Sequence, residues 1–426
     1  MEFFKDAEKV FFVGIGGIGM SGLARLFKAH GKEVLGSDST DDTLVQELVE
    51  EGFEIVIGHE EESLPQDTDL VVYTEAVPLD NPELELARER GVPVMTYFQA
   101  LGKATDSYRL LAIAGTHGKT TTVAMLALIL INAGLDPTVL VGSKLEEFGN
   151  SNLRLGGTSS GVTGGANEPI FLVEACEYRR NFLPLQPDLL GVLNVELDHV
   201  DYFKDQEDYE SAFNELAAQS GEVIWPDELS EYEGELAVPG WHNLMNAGMA
   251  AQMARRLGVS EDVIAASLFE FKGTWRRFEY KGTLNGAAVY DDYAHHPTEI
   301  MATLEAAREK HPDARIVAVF QPHQFSRTAG LMSEFAESFE EADEVLIPNI
   351  YEVRDKDSDK EAGSADKLVA AISEHHENVS HTEDFDKTAN YLRDTASEGD
   401  LIMVMGAGDV THLVPMILDE GAIGMA

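Results

Sequence analysis

The residues best arranged to do chemistry lie in Leu110–Thr122, LLAIAGTHGKTTT. A short apolar run, Leu110 to Ile113, reads as a buried strand, and Val123 to Ala133 carries an uninterrupted helical pattern. Between them sit Gly115, Thr116, His117, Gly118, Lys119, Thr120 and Thr121. A strand, a glycine loop and a helix start place backbone N–H groups and the positive helix end around an anion. Lys119 adds a point charge, and the Thr120 hydroxyl can hold Mg²⁺. The chemistry expected is triphosphate binding. The strict spacing G-x-x-x-x-G-K-[ST] is not met, because Ile113 stands where its first glycine belongs. An incidental glycine turn is the alternative.

A second glycine loop opens the chain. Strand Val10 to Val13 runs into Gly14, Gly16, Gly17 and Gly19, which satisfy G-x-G-x-x-G, and a helix follows through Ala29. The next strand, Glu33 to Gly36, ends at Asp38. This is the dinucleotide-fold pattern: a tight turn, close approach to a pyrophosphate, and an acid placed for a ribose hydroxyl. Alone it says NAD(P), and hence an oxidoreductase. The phosphate cradle that follows is left unexplained by that reading.

These loops need strands and helices to hold them. Strands expected at 54–57, 70–73 and 92–95, with helices at 43–51 and 82–90, complete a first parallel α/β domain, 1–104. The middle domain, 105–280, adds strands at 139–141, 169–174 and 188–194. The glycine-, serine- and asparagine-rich stretch Gly149–Asn167 reads as a mobile loop. Glu174 and His199 fall at or just beyond strand ends, where ligands sit in open parallel sheets, and they make a plausible Mg²⁺ constellation with the cradle. Asn243 and Asn246 share one face of a helix start, where amides could read a base edge; helix capping explains Asn243 equally well. A third α/β domain, 281–426, begins with a hairpin turning at Asn285-Gly286. It carries Asp291, His295, His296, His323 and Arg327 near strand ends and includes a helix at 330–339. No repeat or coiled coil is evident.

Composition narrows the class. Of 426 residues, 31 are Lys or Arg and 76 Asp or Glu, for a formal charge of −45. Such a field repels nucleic acids and anionic membranes, so neither is an expected partner. Dispersed acidity with scarce lysine suggests a cytoplasm rich in salt. One cysteine, Cys176, rules out an internal disulfide and fits a reducing compartment. The acidic start and the lack of a long apolar run imply a cytoplasmic protein.

In their order, these segments resemble the Mur ligases, the ADP-forming amide ligases of peptidoglycan precursor synthesis. The stretches that carry the resemblance are FVGIGGIGMSGLA (Phe12 to Ala24), AGTHGKTTT (Ala114 to Thr122), NVELDHVDYF (Asn194 to Phe203) and HNLMNA (His242 to Ala247), followed by GTWRRFEYKG (Gly273 to Gly282), DDYAHHPTEI (Asp291 to Ile300), FQPHQFSRT (Phe320 to Thr328) and MGAGD (Met405 to Asp409). They look most like the members that add L-alanine to UDP-N-acetylmuramate. The murein-tripeptide recycling members are the runner-up.

The resemblance implies a Rossmann-like N-terminal domain, a P-loop-type central ATPase domain and a Rossmann-like C-terminal domain. It reassigns the first glycine loop, with Asp38 and Thr74, to the diphosphate of a UDP-sugar. Residues Gly115 to Thr121, Asn243, Asn246, Arg277 and Asp291 would hold ATP, and Thr120, Glu174 and His199 would hold Mg²⁺. Lys119, His296, His323 and Arg327 would be catalytic. The implied chemistry is formation of an acyl phosphate from the substrate carboxylate, then attack by the amine of L-alanine, with domain closure keeping water out. A monomer or weak dimer is expected. The chain departs from the family pattern at Cys176, where an Asp is usual, at Gln324, where an Arg is common, and at Thr74-Glu75, where serines are common. Only about 20 residues separate Ser220 from Gly240, which implies a trimmed central domain.

Overall fold

The computed structural model describes residues 4–145, 148–157, 168–353, 355 and 357–418. Each of its three sheets has a run of parallel strands whose neighbours are joined by helical crossovers, the arrangement that βα alternation demands. The first sheet contains β1 (Lys9–Val13), β2 (Glu33–Asp38), β3 (Glu54–Ile57), β4 (Leu70–Tyr73) and β5 (Val94–Thr96), in the order β3-β2-β1-β4-β5. The order reverses between β1 and β4, so the crevice beyond their carboxyl ends is the expected ligand position.

The second sheet contains β6 (Arg109–Ala114), β7 (Thr138–Leu145), β8 (Ser151–Arg154), β9 (Ile170–Glu174), β10 (Leu189–Val192) and β11 (Glu222–Ile224), in the order β11-β10-β6-β9-β7-β8. β10 and Leu110–Ala114 of β6 are continuous apolar runs, as expected of parallel strands covered on both faces, and every residue of both runs is buried. Each such Leu, Ile or Val contributes about 1.5–3 kcal/mol by leaving water. Helix Lys119–Asn132, which follows the cradle, is itself buried over most of its length.

Strand β8 corrects the expectation of a loop over Gly149–Asn167. Ser151–Arg154 pairs antiparallel with β7, and Asn152 and Leu153 are buried. Cross-strand pairing and burial of these two side chains override the weak local propensity. Residues 158–167 of that stretch lie outside the described residues.

The third sheet contains β12 (Glu279–Leu284), β13 (Ala287–Asp292), β14 (Ile316–Phe320), β15 (Glu344–Ile347), β16 (Val379–His381) and β17 (Leu401–Met405), in the order β12-β13-β17-β14-β15-β16. Asn285, with φ 51°, and Gly286, with φ 85°, make the expected hairpin turn between β12 and β13. The single helix expected at 330–339 is instead two short ones, Phe325–Gly330 and Met332–Ala336, interrupted at Leu331. Leu331 is buried in the core beside the third sheet, with Phe320 and Phe335, and its backbone, φ −118° and ψ 27°, leaves the helical region.

The chain divides into two compact units. The first comprises 1–196, 207–230 and 246–268, and so holds the first two sheets; the second comprises 197–206, 231–245 and 269–426. Within the first unit, helix Ile18–Ala29 packs on β7 and β8. Arg25 binds Glu51 through two nitrogens and also donates to Asn152 Oδ1 at 3.0 Å, while Lys144 reaches Glu47 at 2.6 Å. Among the described residues, no helix is long and apolar enough to cross a membrane.

Candidate active site

The cradle is assembled from three strand ends of the middle sheet. Gly115 has φ 141° and Gly118 has φ 82°, conformations that glycine adopts cheaply. A Cβ on Gly118 would stand 2.2 Å from Asn246 Oδ1, so the loop and the helix Trp241–Arg256 meet at backbone distance. From the end of β10, the Asn194 side chain accepts from His117 N–H at 2.8 Å and donates to the His117 carbonyl at 3.2 Å. Thr116 Oγ1 donates to the Glu196 carbonyl at 2.8 Å and lies 3.0 Å from the Tyr209 hydroxyl.

Lys119 folds over this loop. Its Nζ donates to the Gly115 carbonyl at 2.5 Å, the Thr116 carbonyl at 3.1 Å and Glu177 Oε2 at 2.9 Å. Burial works against the ammonium, but the surrounding acidic groups, Glu177 foremost with Cys176 and Glu174, together keep the pKa raised. Thr120 and Thr121 occupy the first turn of the helix that Lys119 opens. Glu174 ends β9 and accepts from Gly142 N–H at 2.9 Å. Burial raises the Cys176 thiol to about 12, with Glu177 adding to the effect, so at neutral pH it is a neutral thiol.

In the first glycine loop, Gly14 has φ 77°, and a Cβ there would lie 2.4 Å from Thr74 Cγ2 at the end of β4. Gly14 and Ile15 N–H groups donate to the Ser37 carbonyl. Asp38, expected to face a ribose, uses Oδ2 to accept from Gly16 N–H at 2.8 Å and Oδ1 to accept from Thr40 N–H at 3.2 Å. Gly17 caps the helix that begins at Ile18, and Gly19 faces the Tyr97 ring.

In the second unit, β13, β17 and β14 lie side by side, and their carboxyl ends gather the expected residues. Arg327 grips Asp198 with both sides of its guanidinium, at 3.1 and 3.2 Å, and both side chains are buried. Burial would raise the Asp198 carboxyl, yet Arg327 and nearby histidines hold it well below the usual range. His199 follows with φ 54°. His323 stacks on Tyr351, centroids 5.3 Å apart, and its Nδ1 lies 3.4 Å from Arg327 Nη1. His296 caps helix Pro297–Lys310, its Nδ1 accepting from Thr298 N–H at 3.3 Å.

Neighbouring arginines diverge. Arg276 donates to Asp291 Oδ1 at 3.2 Å and to the Gly406 carbonyl at 2.5 Å. Arg277 reaches Glu299 at 3.5 Å and lies over the Tyr293 ring. Asp291 is fully buried between Arg276 and Thr411. Asn243 donates to the Pro239 carbonyl at 2.6 Å, a local turn contact.

Glu177, Asn194, Tyr209, Asp198 and Arg276 complete these arrangements and were not singled out from the sequence as site residues. Glu177 and Asp198 carry a usable signal, an acid within a few residues of Glu174 or His199. Tyr209 carries none.

Three family models match the chain in order: Mur ligase family, catalytic domain, over 9–109; Mur ligase middle domain over 113–228; and Mur ligase, glutamate ligase domain, over 276–408. A UDP-N-acetylmuramate–L-alanine ligase from Caldanaerobacter subterraneus subsp. tengcongensis is 37% identical across 97% of this chain and 98% of its own.

The chain belongs to the Mur ligase family.

A second Mur ligase of the same name, from Acetivibrio thermocellus, is 38% identical over 97% of this chain and 96% of its own length. Among solved Mur ligases, the UDP-N-acetylmuramate–alanine ligase of Thermotoga maritima superposes with a TM-score of 0.77 at 27% identity, covering 96% of this chain and 98% of that one. A murein peptide ligase from Psychrobacter arcticus gives 0.71, also at 27% identity, over 98% and 100%. The first alignment runs over 464 positions, more than the 426 residues of this Mur ligase, so its relative carries segments absent here. A short link between β11 and the helix at Trp241 is consistent with one such loss.

Proposed function

We propose that this Mur ligase joins L-alanine to UDP-N-acetylmuramate, with ATP converted to ADP and phosphate. The observation that carries the reading is Lys119, clasped over a strand-end glycine loop in the same unit as a second, diphosphate-type glycine loop. Relatives named for this reaction align with the chain almost end to end.

A carboxylate is a poor electrophile, so the lactyl carboxylate of the sugar first attacks the γ-phosphorus of ATP, and ADP leaves. Lys119 and the loop N–H groups offset the charge of the transferring group. The free amine of L-alanine attacks the acyl carbon of the resulting mixed anhydride. The tetrahedral adduct collapses with loss of phosphate, leaving the amide. His323 or His296 takes the ammonium proton of L-alanine, and Arg327 lends positive charge beside His323.

Asn243, Asn246, Arg277 and Asp291 contribute to the nucleotide site, and Gly14, Gly16, Gly17, Gly19, Asp38 and Thr74 to the UDP-sugar site. The hydroxyl of Thr120 and the carboxylate of Glu174 are hard oxygen donors that suit Mg²⁺, with His199 as a further ligand. Glu174 fits that role because Gly142 leaves room for its carboxylate, where a Cβ would lie 2.6 Å from Oε2. When bound, Mg²⁺ supplies charge against the phosphates. The working form is a cytoplasmic monomer or weak dimer, with functional domains at 1–104, 105–280 and 281–426.

The test is phosphate release from ATP, Mg²⁺, UDP-N-acetylmuramate and an acceptor panel of L-alanine, L-serine, glycine and a murein tripeptide. Release that depends on L-alanine supports the reading. Release only with the tripeptide, or none at all, overturns it.

A further inference from the structure

Two hydrogen bonds and one glycine tie the helix after the first glycine loop to the middle sheet, and the proposed chemistry makes no use of them. Asn152, in β8, is buried. Its Nδ2 donates to the carbonyl of Ile18, the residue that opens helix Ile18–Ala29. Its Oδ1 accepts from Arg25 Nη1, further along the same helix, at 3.0 Å. One turn on from Ile18, Gly22 is buried as well. A Cβ there would stand 2.3 Å from Leu140 Cδ1 of β7 and 2.7 Å from Asn152 Nδ2. Glycine weakens a helix interior, so its place here is explained by the close approach of β7 and β8. Apolar burial is non-directional, whereas a buried amide bonded at both ends to one helix fixes the helix along its axis and about it.

The same strand reaches toward the ATP cradle. Between Leu140 and Lys144, Gly142 N–H donates to Glu174 Oε1 at 2.9 Å. Glu174 ends β9, which pairs with β7 on one side and with the cradle strand β6 on the other, and its charge acts on Lys119. Lys144 also pairs at 2.6 Å with Glu47 of helix Thr43–Glu50. The β7–β8 hairpin is therefore bonded both to the helices of the first glycine loop and to a carboxylate beside the second. All of these residues belong to one compact unit.

The spacing of the two loops matters because each holds one partner of the first chemical step. On the reading above, the sugar nucleotide that carries the lactyl carboxylate sits on the first loop. The γ-phosphate that it attacks sits against Lys119. The attacking oxygen must come within about 3–3.5 Å of phosphorus, and an error of about 1 Å can cost roughly 10²-fold in rate. The two loops stand on separate sheets, so whatever joins the sheets sets that distance.

We propose that the β7–β8 hairpin is the spacer between the two glycine loops, and that Asn152 is a positioning residue for phosphoryl transfer. This rests on the substrate reading given above. Asn152 acts through Ile18 and Arg25. Without it, each loop still binds its own ligand, but the helix can shift against the middle sheet. Binding survives and turnover falls.

The experiment compares the full-length wild type with Asn152→Ala, Asn152→Asp, Gly22→Ala and Gly22→Ala/Leu140→Ala. Asn152→Asp keeps an acceptor for Arg25 and loses the donor to Ile18. Gly22→Ala leaves Asn152 in place and wedges the helix away from β7. Titration calorimetry measures UDP and a non-hydrolysable ATP analogue separately. Phosphate assays give kcat and KM, and melting temperatures monitor the fold. Spin labels on Val56→Cys and Leu155→Cys, both exposed positions, report the distance between the first sheet and the hairpin in a Cys176→Ser background. The three single variants are expected to lose at least tenfold in kcat, to keep both affinities within about threefold and to broaden the distance distribution. Leu140→Ala makes room for the added methyl and should restore part of the kcat lost in Gly22→Ala. The proposal is overturned by a kcat within threefold of wild type in Asn152→Ala and Gly22→Ala, by a UDP affinity that falls as far as kcat, or by an unbroadened distribution. A wild type that releases no phosphate with UDP-N-acetylmuramate, in the presence of distances that still broaden in the variants, overturns the ligase reading and leaves the spacer standing.

Discussion

Lys119 Nζ lies 2.9 Å from Glu177 Oε2, and the Glu177 side chain is only 2% exposed. The two hold each other inside the cradle, so removing one leaves the other buried without this counter-charge. Breaking such a pair typically costs about 3–5 kcal/mol, whereas removing both costs far less. Lys119→Ala should therefore melt at a lower temperature than the double variant Lys119→Ala/Glu177→Gln, while both lose about 10³-fold or more in turnover. Thermal unfolding of the four members of the cycle, with phosphate assays, checks this. Equal melting of single and double variants would show that the pair is not coupled.

Gly118 cannot take a side chain without displacing Asn246. Its φ of 82° and the 2.2 Å approach of Asn246 Oδ1 to a Cβ act together. Gly118→Ala should reduce ATP affinity by roughly tenfold or more and cost on the order of 1–3 kcal/mol in stability. Isothermal titration with a non-hydrolysable ATP analogue measures the first, and chemical denaturation the second. Gly118→Ala/Asn246→Ala should recover part of the stability and none of the affinity.

Two buried groups near Arg277 oppose each other in their dependence on pH. Burial, aided by Arg277, lowers His242 to about 4. The stability tied to its neutral form is present above the unfolded value near 6.5 and is lost as pH falls toward 4. Burial raises Asp292 to about 6, with Arg277 opposing. Its protonated form favours the folded chain below pH 4, and that contribution is lost as pH rises through 6. Each effect is on the order of 3 kcal/mol at full extent. Between pH 4 and 6 they nearly offset. Asp292→Asn should make stability rise more steeply with pH across this window, and His242→Gln should make it fall. Denaturation midpoints at pH 4.5, 5.5 and 6.5 test both slopes.

A formal charge of −45 spread over the chain repels itself at low ionic strength. Several basic side chains are already engaged by more than one acid, as Lys9 is by Glu33 and Asp67. Screening must come from salt. Melting temperature should climb by several degrees between about 0.1 and 2 M KCl, beyond the Debye regime of dilute buffer. A flat series would remove the case for a salt-rich cytoplasm.

The amino-acid sequence by itself determined the parts whose geometry is local. A strand, a positive-φ glycine and a helix start are adjacent in the chain. Both glycine loops, the order of the sheets and the family therefore follow from residues such as Gly14, Gly115, Gly118 and Lys119. Tertiary structure decided which side chains complete those loops, because partners distant in sequence set side-chain direction. Asn194 and Asn246 reach the cradle from a different strand and a different helix. Asp38 turns to Gly16, and Arg276, rather than its neighbour Arg277, takes Asp291. Strand β8 exists because β7 offers an edge to pair with, which the composition of Gly149–Asn167 hides. The same limit applied at Leu110–Thr122: its residues specify a triphosphate cradle, and only the packed sheet brings Glu177 to Lys119. Local propensity fixes a loop's backbone, and long-range packing fixes what the loop holds.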